Sequence, residues 1–83
     1  MKLQVYISDA CWTCEETRRI VADVRPQFPQ AQIELLSLNE VKRPSNVFAV
    51  PTYVLNGRVI SLGNPHRGEL RRQLNNALTR VSV

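Results

Sequence analysis

Only two cysteines, one histidine, one tryptophan, two tyrosines and two phenylalanines occur in 83 residues, and each scarcity narrows what the chain can be. Two cysteines are too few for a disulfide scaffold, so a domain of this size must be held by packing, with about 60% of its unfolded surface buried. The lone His66 and a single cysteine pair do not supply the four ligands of a mononuclear zinc site unless two chains share it. No apolar run approaches the ~20 residues that span a bilayer, and no low-complexity tract interrupts the chain, so neither a membrane segment nor disorder is expected. The net charge of +4 comes from eleven lysines and arginines spread along the sequence, with the aromatics not interleaved among them. That argues against nucleic acid and for a solvated basic surface that favours acidic partners. Met1-Lys2-Leu3 runs directly into a strand pattern without the zones of a secretory signal, so a cytoplasmic protein is expected. The length predicts one domain over residues 1–83.

Alternation in Leu3-Gln4-Val5-Tyr6-Ile7 predicts a strand over residues 2–8. From Cys14 the apolar positions Cys14, Thr17, Val21, Val24 and Phe28 recur at spacings of three and four, one stripe of a helix, until Pro26 and Pro29 end it. The mostly apolar run Ile33 to Leu38 predicts a second strand covered on both faces. Residues 39–50, interrupted by Pro44, predict a loop or a single helical turn anchored by Val47, Phe48 and Val50. Thr52 to Leu55 and Arg58 to Ser61 flank Asn56-Gly57, the strongest short hairpin signal. Asn64-Pro65 reads as a helix start, with Asn64 as cap, and Leu70, Leu74, Ala77, Leu78 and Val81 form the stripe of the closing helix, with Arg67 on its solvated side. The order strand, helix, strand, connector, strand, strand, helix predicts an α/β chain whose mixed four-stranded sheet is flanked by helices on its faces.

The chemistry centres on Cys11-Trp12-Thr13-Cys14, between the first strand and the first turn of the first helix. Amides at a helix start favour a negative charge, so the Cys11 thiolate is expected to form more readily than a free thiol, and a thiolate is the attacking species in disulfide exchange. Cys14 lies on the apolar stripe, shielded yet within disulfide reach, as suits a resolving thiol. A disulfide kept for stability alone is the competing reading, but closing so short a loop is worth only about 2 kcal/mol. Trp12, at an exposed turn, has the character of a surface that packs on partners. Val50-Pro51 stands just before a strand and predicts a cis bond.

Taken together, the C-x-x-C, the Val50-Pro51 step, the hairpin and the closing helix resemble the thioredoxin-fold superfamily, of the small thioredoxin- and glutaredoxin-like kind with a shortened central connector. The resemblance implies a thiol-disulfide oxidoreductase with no cofactor. Cys11 would be the nucleophile, Cys14 the resolving cysteine and Pro51 the cis-proline beside them. Trp12, Thr13, Val50 and Thr52 would line the substrate site. It implies a disulfide-containing protein as substrate and a reductase or other dithiol as electron donor. Three positions depart from the pattern. Trp12-Thr13 is neither Gly-Pro nor Pro-Tyr, Val5 stands where thioredoxins bury an acid, and Ser61 to Pro65 lacks the acid with which glutaredoxins help hold glutathione. Glutathione is therefore not the expected donor. Two other classes compete, a Cu(I)-carrying module and a redox-inactive interaction domain of the same fold. Small copper chaperones also place a C-x-x-C after a first strand, but they commonly have a methionine where this chain has Asp9, and they end on a strand.

Overall fold

Val5 and Tyr6, at the middle of the first strand, have neighbours on both sides, and the sheet is built outward from them. A computed structural model describes residues 1–9 and 11–80. Strand β1 (Lys2–Ile7) pairs in parallel with β2 (Gln32–Ser37) and antiparallel with β3 (Thr52–Leu55), which pairs with β4 (Arg58–Leu62). The order β2-β1-β3-β4 is the predicted mixed four-stranded sheet. The hairpin turn places Asn56 and Gly57 at φ of 50° and 83°, the left-handed region for which this dipeptide is suited. A register irregularity between Tyr53 and Val54 leaves Ile60 as the extra residue of β4.

Alternation along β1 and β3 divides the sheet into two unlike faces. Leu3, Val5, Ile7, Tyr53 and Leu55 point to one face, where they meet Cys14, Ile20, Val21 and Val24 of α1 (Cys14–Val24), then Phe28, and Leu70 and Leu74 of α2 (Arg67–Arg80). Helix α1 gives way to a 3₁₀ turn, Arg25–Gln27, where Pro26 cannot continue the ladder. The other face holds a smaller cluster of Tyr6, Val47 and Val54, with Leu36, Leu38, Val41 and Val59 packed around it.

The sequence expectation of helices on both faces is therefore corrected. Both helices share one face, and residues 39–50 cover the other without forming a helix. The Ile33 to Leu38 strand is at a sheet edge and half-buried throughout, with Ile33 and Leu35 toward the larger cluster and Leu36 toward the smaller. Its continuous apolar pattern reflects contact with two thin layers rather than a central place. Within the connector Val47 is buried as expected, but Phe48 points to solvent, 79% exposed, and is no anchor. The expected loop or helical turn takes the form of hydrogen-bonded turns from Ser37 to Val41 and from Pro44 to Val47. Val81, predicted on the last helical stripe, lies outside the described residues.

Arg67 also departs from the solvated place its sequence context predicts. Its guanidinium lies 2.8 Å from the Asp23 carboxylate and 3.6 Å from that of Glu16, tying the start of α2 to α1. Among the described residues no helix is long and apolar enough to cross a membrane.

Candidate active site

Cys11 and Cys14 are joined in a disulfide with Cα atoms 5.3 Å apart, at the end of β1 where α1 begins. Cys14, the first residue of α1, is buried, and Cys11 is half-buried against the same core. The asymmetry comes from the local backbone. The Cys14 amide points back to the Cys11 carbonyl at 3.4 Å, which turns the chain sharply and sets Cys14 on the inner stripe while leaving Cys11 before the helix. Thr13 is the N-cap residue, yet its hydroxyl caps no amide. It stands 3.5 Å from Cys11 Sγ, and since a disulfide sulfur carries no proton, the hydroxyl is the donor. The same hydroxyl can donate to a Cys11 thiolate once the disulfide opens, a contact that strengthens as charge develops on sulfur. Trp12, between the cysteines, is 98% exposed.

The second segment of the site is the turn before β3. The Val50–Pro51 bond is cis, as the sequence predicts. Thr52 is buried, and its hydroxyl donates to the Ala49 carbonyl at 2.6 Å, closing the turn around Pro51. Val50 is half-buried and packs on the core that also receives Cys11.

The third segment differs from the sequence expectation. Asn64 does not cap α2, which begins at Arg67, with the His66 carbonyl accepting from the Leu70 amide. Its side chain turns toward α1 instead. Asn64 Oδ1 accepts from the Thr17 hydroxyl at 2.6 Å and from the Tyr53 phenol at 3.0 Å, while Nδ2 donates to the Thr13 carbonyl at 2.9 Å. Thr17 Oγ1 also lies 3.1 Å from that carbonyl. Just before it, Gly63 adopts φ of 89° and donates its amide to the Pro51 carbonyl at 2.8 Å. Sequence reasoning missed this group. The signal available was a threonine on an apolar stripe and a tyrosine inside a strand, two buried hydroxyls that require a partner.

Tyr53 is fully buried, and that burial pushes its phenol up from 10.0 to about 12, against the lowering effects of the Thr17 hydrogen bond and the Arg67 charge. The folded state thus keeps a proton that the unfolded chain releases near pH 10, so stability falls as pH rises from about 10 towards 12. The Tyr53 contribution to that loss is on the order of 2 kcal/mol. Urea unfolding of the wild type and Tyr53→Phe at pH 9, 10 and 11 should show the steeper alkaline loss in the wild type. Parallel curves would contradict the assignment.

Against this geometry, comparison with known proteins is decisive. A thioredoxin-domain family model matches residues 1–75. The chain belongs to the thioredoxin-domain family. A curated relative, thioredoxin of Methanocaldococcus jannaschii, is 31% identical over 75 residues, covering 84% of this chain and 87% of that protein. The fold is shared with thioredoxin 1 of Thermosipho africanus, at a TM-score of 0.72 and 22% identity with the whole of both chains covered. It is shared too with thioredoxin of Trypanosoma brucei brucei, at a TM-score of 0.73 and 18% identity, covering 94% of this chain and 74% of that one. A thioredoxin domain with a C-x-x-C pair that closes a disulfide marks thiol-disulfide oxidoreduction as its class of chemistry. Membership in this family also sets the chain apart from the small copper chaperones.

Proposed function

We propose that the protein reduces disulfides of partner proteins through a mixed disulfide at Cys11, as a cytoplasmic protein whose 83 residues form a single domain. The observation that carries this reading is the unequal placement of the two sulfurs, Cys11 before the helix and half-buried, Cys14 buried in its first turn. In the reduced protein the Cys11 thiolate attacks one sulfur of the partner's disulfide, and the departing partner thiolate takes a proton from water. The Cys14 thiol then gives its proton to water and attacks Cys11 Sγ. The second partner thiolate leaves and is protonated. Two electrons pass to the partner, and the Cys11–Cys14 disulfide remains, to be reduced again by a reductase or another dithiol.

A protein rather than a small substrate fits the surroundings. Trp12, Phe48 and Leu62 are exposed at 98%, 79% and 68%. They belong to the segments that the Gly63–Pro51 and Asn64–Thr13 hydrogen bonds draw together. Exposed apolar side chains on these segments suit a polypeptide surface, with Trp12, Thr13 and Val50 as the contact residues and the buried Pro51 and Thr52 shaping the turn beneath them. Glutathione, a charged tripeptide, needs groups for its ammonium and carboxylates. Arg67 is already engaged by Asp23 and Glu16, Arg58 lies at the hairpin end of β4, and the Asn64 amide is committed to the interior. The test compares coupled turnover of a mixed glutathione disulfide with dithiothreitol-driven reduction of a protein disulfide. The dithiol-driven reaction is expected to be at least about tenfold faster, the effect of losing one charge-assisted contact. Comparable rates would make glutathione the donor.

A further inference from the structure

Three segments far apart in sequence converge beneath the cysteines, and one dipeptide touches two of them. Gly63 holds the Pro51 carbonyl with its amide, and Asn64 holds the Thr13 carbonyl with its side chain. The Thr13 carbonyl belongs to the peptide that joins Thr13 to Cys14, and it also accepts the first helical hydrogen bond, from the Thr17 amide at 3.1 Å. Its direction sets the plane of that peptide and so the direction in which Cys14 leaves the backbone.

The Asn64 side chain has no freedom to turn over. Its oxygen faces two hydroxyl donors and its nitrogen faces a carbonyl, and the flipped amide would set oxygen against oxygen at Thr13. Tyr53 and Thr17, which hold the oxygen, are both fully buried. A short polar chain therefore runs from β3, through a residue after β4, to the peptide between the two cysteines.

We propose that Asn64 is a positioning residue for disulfide exchange, holding the Thr13–Cys14 peptide so that the two sulfurs stay aligned for closure when the disulfide is open. The proposal rests on the oxidoreductase reading above and concerns how strongly the dithiol favours its closed form. In the oxidised protein the covalent bond holds the loop whether or not Asn64 is present. In the reduced protein the helix start, the Thr17 hydroxyl and the Asn64 amide hold it, so loss of the amide loosens the reduced loop selectively. Closing the disulfide then forfeits more conformational freedom, and the equilibrium moves toward the dithiol.

The experiment equilibrates wild type, Asn64→Ala, Thr17→Val and Arg67→Ala in defined glutathione buffers and reads the oxidised fraction by thiol alkylation and mass spectrometry. Thermal unfolding of each variant is measured in parallel. For Asn64→Ala the oxidation equilibrium constant is expected to fall by about tenfold, a shift of about 30 mV toward easier reduction for a two-electron couple. Thr17→Val, which keeps the side chain's shape and loses its hydroxyl, should shift in the same direction by less, and it carries the test if Asn64→Ala does not fold. Arg67→Ala cuts the α1–α2 ion pairs and removes none of the hydrogen bonds to the Thr13 carbonyl, so it should lower thermal stability and leave the equilibrium where it is in the wild type. Destabilisation of the Asn64 and Thr17 variants with an unmoved equilibrium would overturn the positioning role and leave the oxidoreductase reading intact. A wild-type chain with no reversible two-thiol transition would overturn both.

Discussion

Serine at position 11 is expected to abolish disulfide exchange, while serine at position 14 is expected to stop turnover and accumulate a covalent complex with the substrate. Sulfur must be ionised to attack and must be able to form the mixed disulfide, and a serine hydroxyl does neither at neutral pH. The two substitutions diverge because the two sulfurs are placed differently. Cys11 lies before α1 and is half-buried, with the Thr13 hydroxyl 3.5 Å from its sulfur, whereas Cys14 is buried. Removing Cys14 leaves the attacking sulfur in place and deletes the thiol that would release the partner. Non-reducing electrophoresis and mass spectrometry after incubation with a protein disulfide should find the complex at Cys11 in Cys14→Ser and little or none in Cys11→Ser. Equal trapping by the two variants would remove the division of roles.

Leu74→Ala is expected to destabilise the protein by about 2–5 kcal/mol, the range for emptying a fully buried leucine site. For a chain of this length total stability is about 4–12 kcal/mol, so the loss is a large part of the whole. The site cannot readily collapse. Leu74 is completely buried, and the core it enters holds residues of β1, α1 and β3 on the one face that both helices share. Urea and thermal unfolding followed by far-ultraviolet circular dichroism should show a midpoint lowered by at least about 8 °C, at about 4–8 °C per kcal/mol for a domain of this size. Leu62→Ala, at a 68% exposed position, is the comparison and should change stability by less than about 0.5 kcal/mol. If the two variants unfolded alike, the helix-covered face would not be the main source of stability.

Much of this architecture is legible in the sequence because period and turn chemistry agree. Leu3, Val5 and Ile7 alternate, Cys14, Thr17, Val21 and Val24 recur at helical spacing, and Asn56-Gly57 leaves little choice of turn. The four strands and the start of α1 lie within a residue of their expected places, while α1, expected to carry its stripe to Phe28, ends at Val24, and α2 begins at Arg67, two residues after Pro65. There Asn64 is an excellent cap by residue type, but two buried hydroxyls and a carbonyl at the start of α1 compete for the same amide and win. Local preference is readable and the tertiary demand is not. The same limit explains Phe48, an aromatic residue in an apolar stretch that points outward because no helix forms to turn it in, and the sharing of one sheet face by both helices. The cysteines and the Val50–Pro51 step are visible as pieces. Their assembly through Gly63 and Asn64 joins Pro51, twelve residues back, with Thr13, 51 residues back, and no single pattern in the sequence shows it.

The connector that crosses the helix-free face has a consequence for how such a protein can change over evolutionary time. Residues 39–50 are fastened mainly by Val41 and Val47, and they lead straight to Val50 and Pro51. Doubling the length of a flexible loop adds only about 0.6 kcal/mol of closure entropy. New residues can accumulate there and reshape the ground next to the cis-proline, while the Thr13–Cys14 peptide stays fastened from the opposite side of the sheet. On the proposed function, the residues beside the cis-proline that would meet a partner can thus be varied by lengthening one loop while the hydrogen bonds at the Thr13–Cys14 peptide stay as they are.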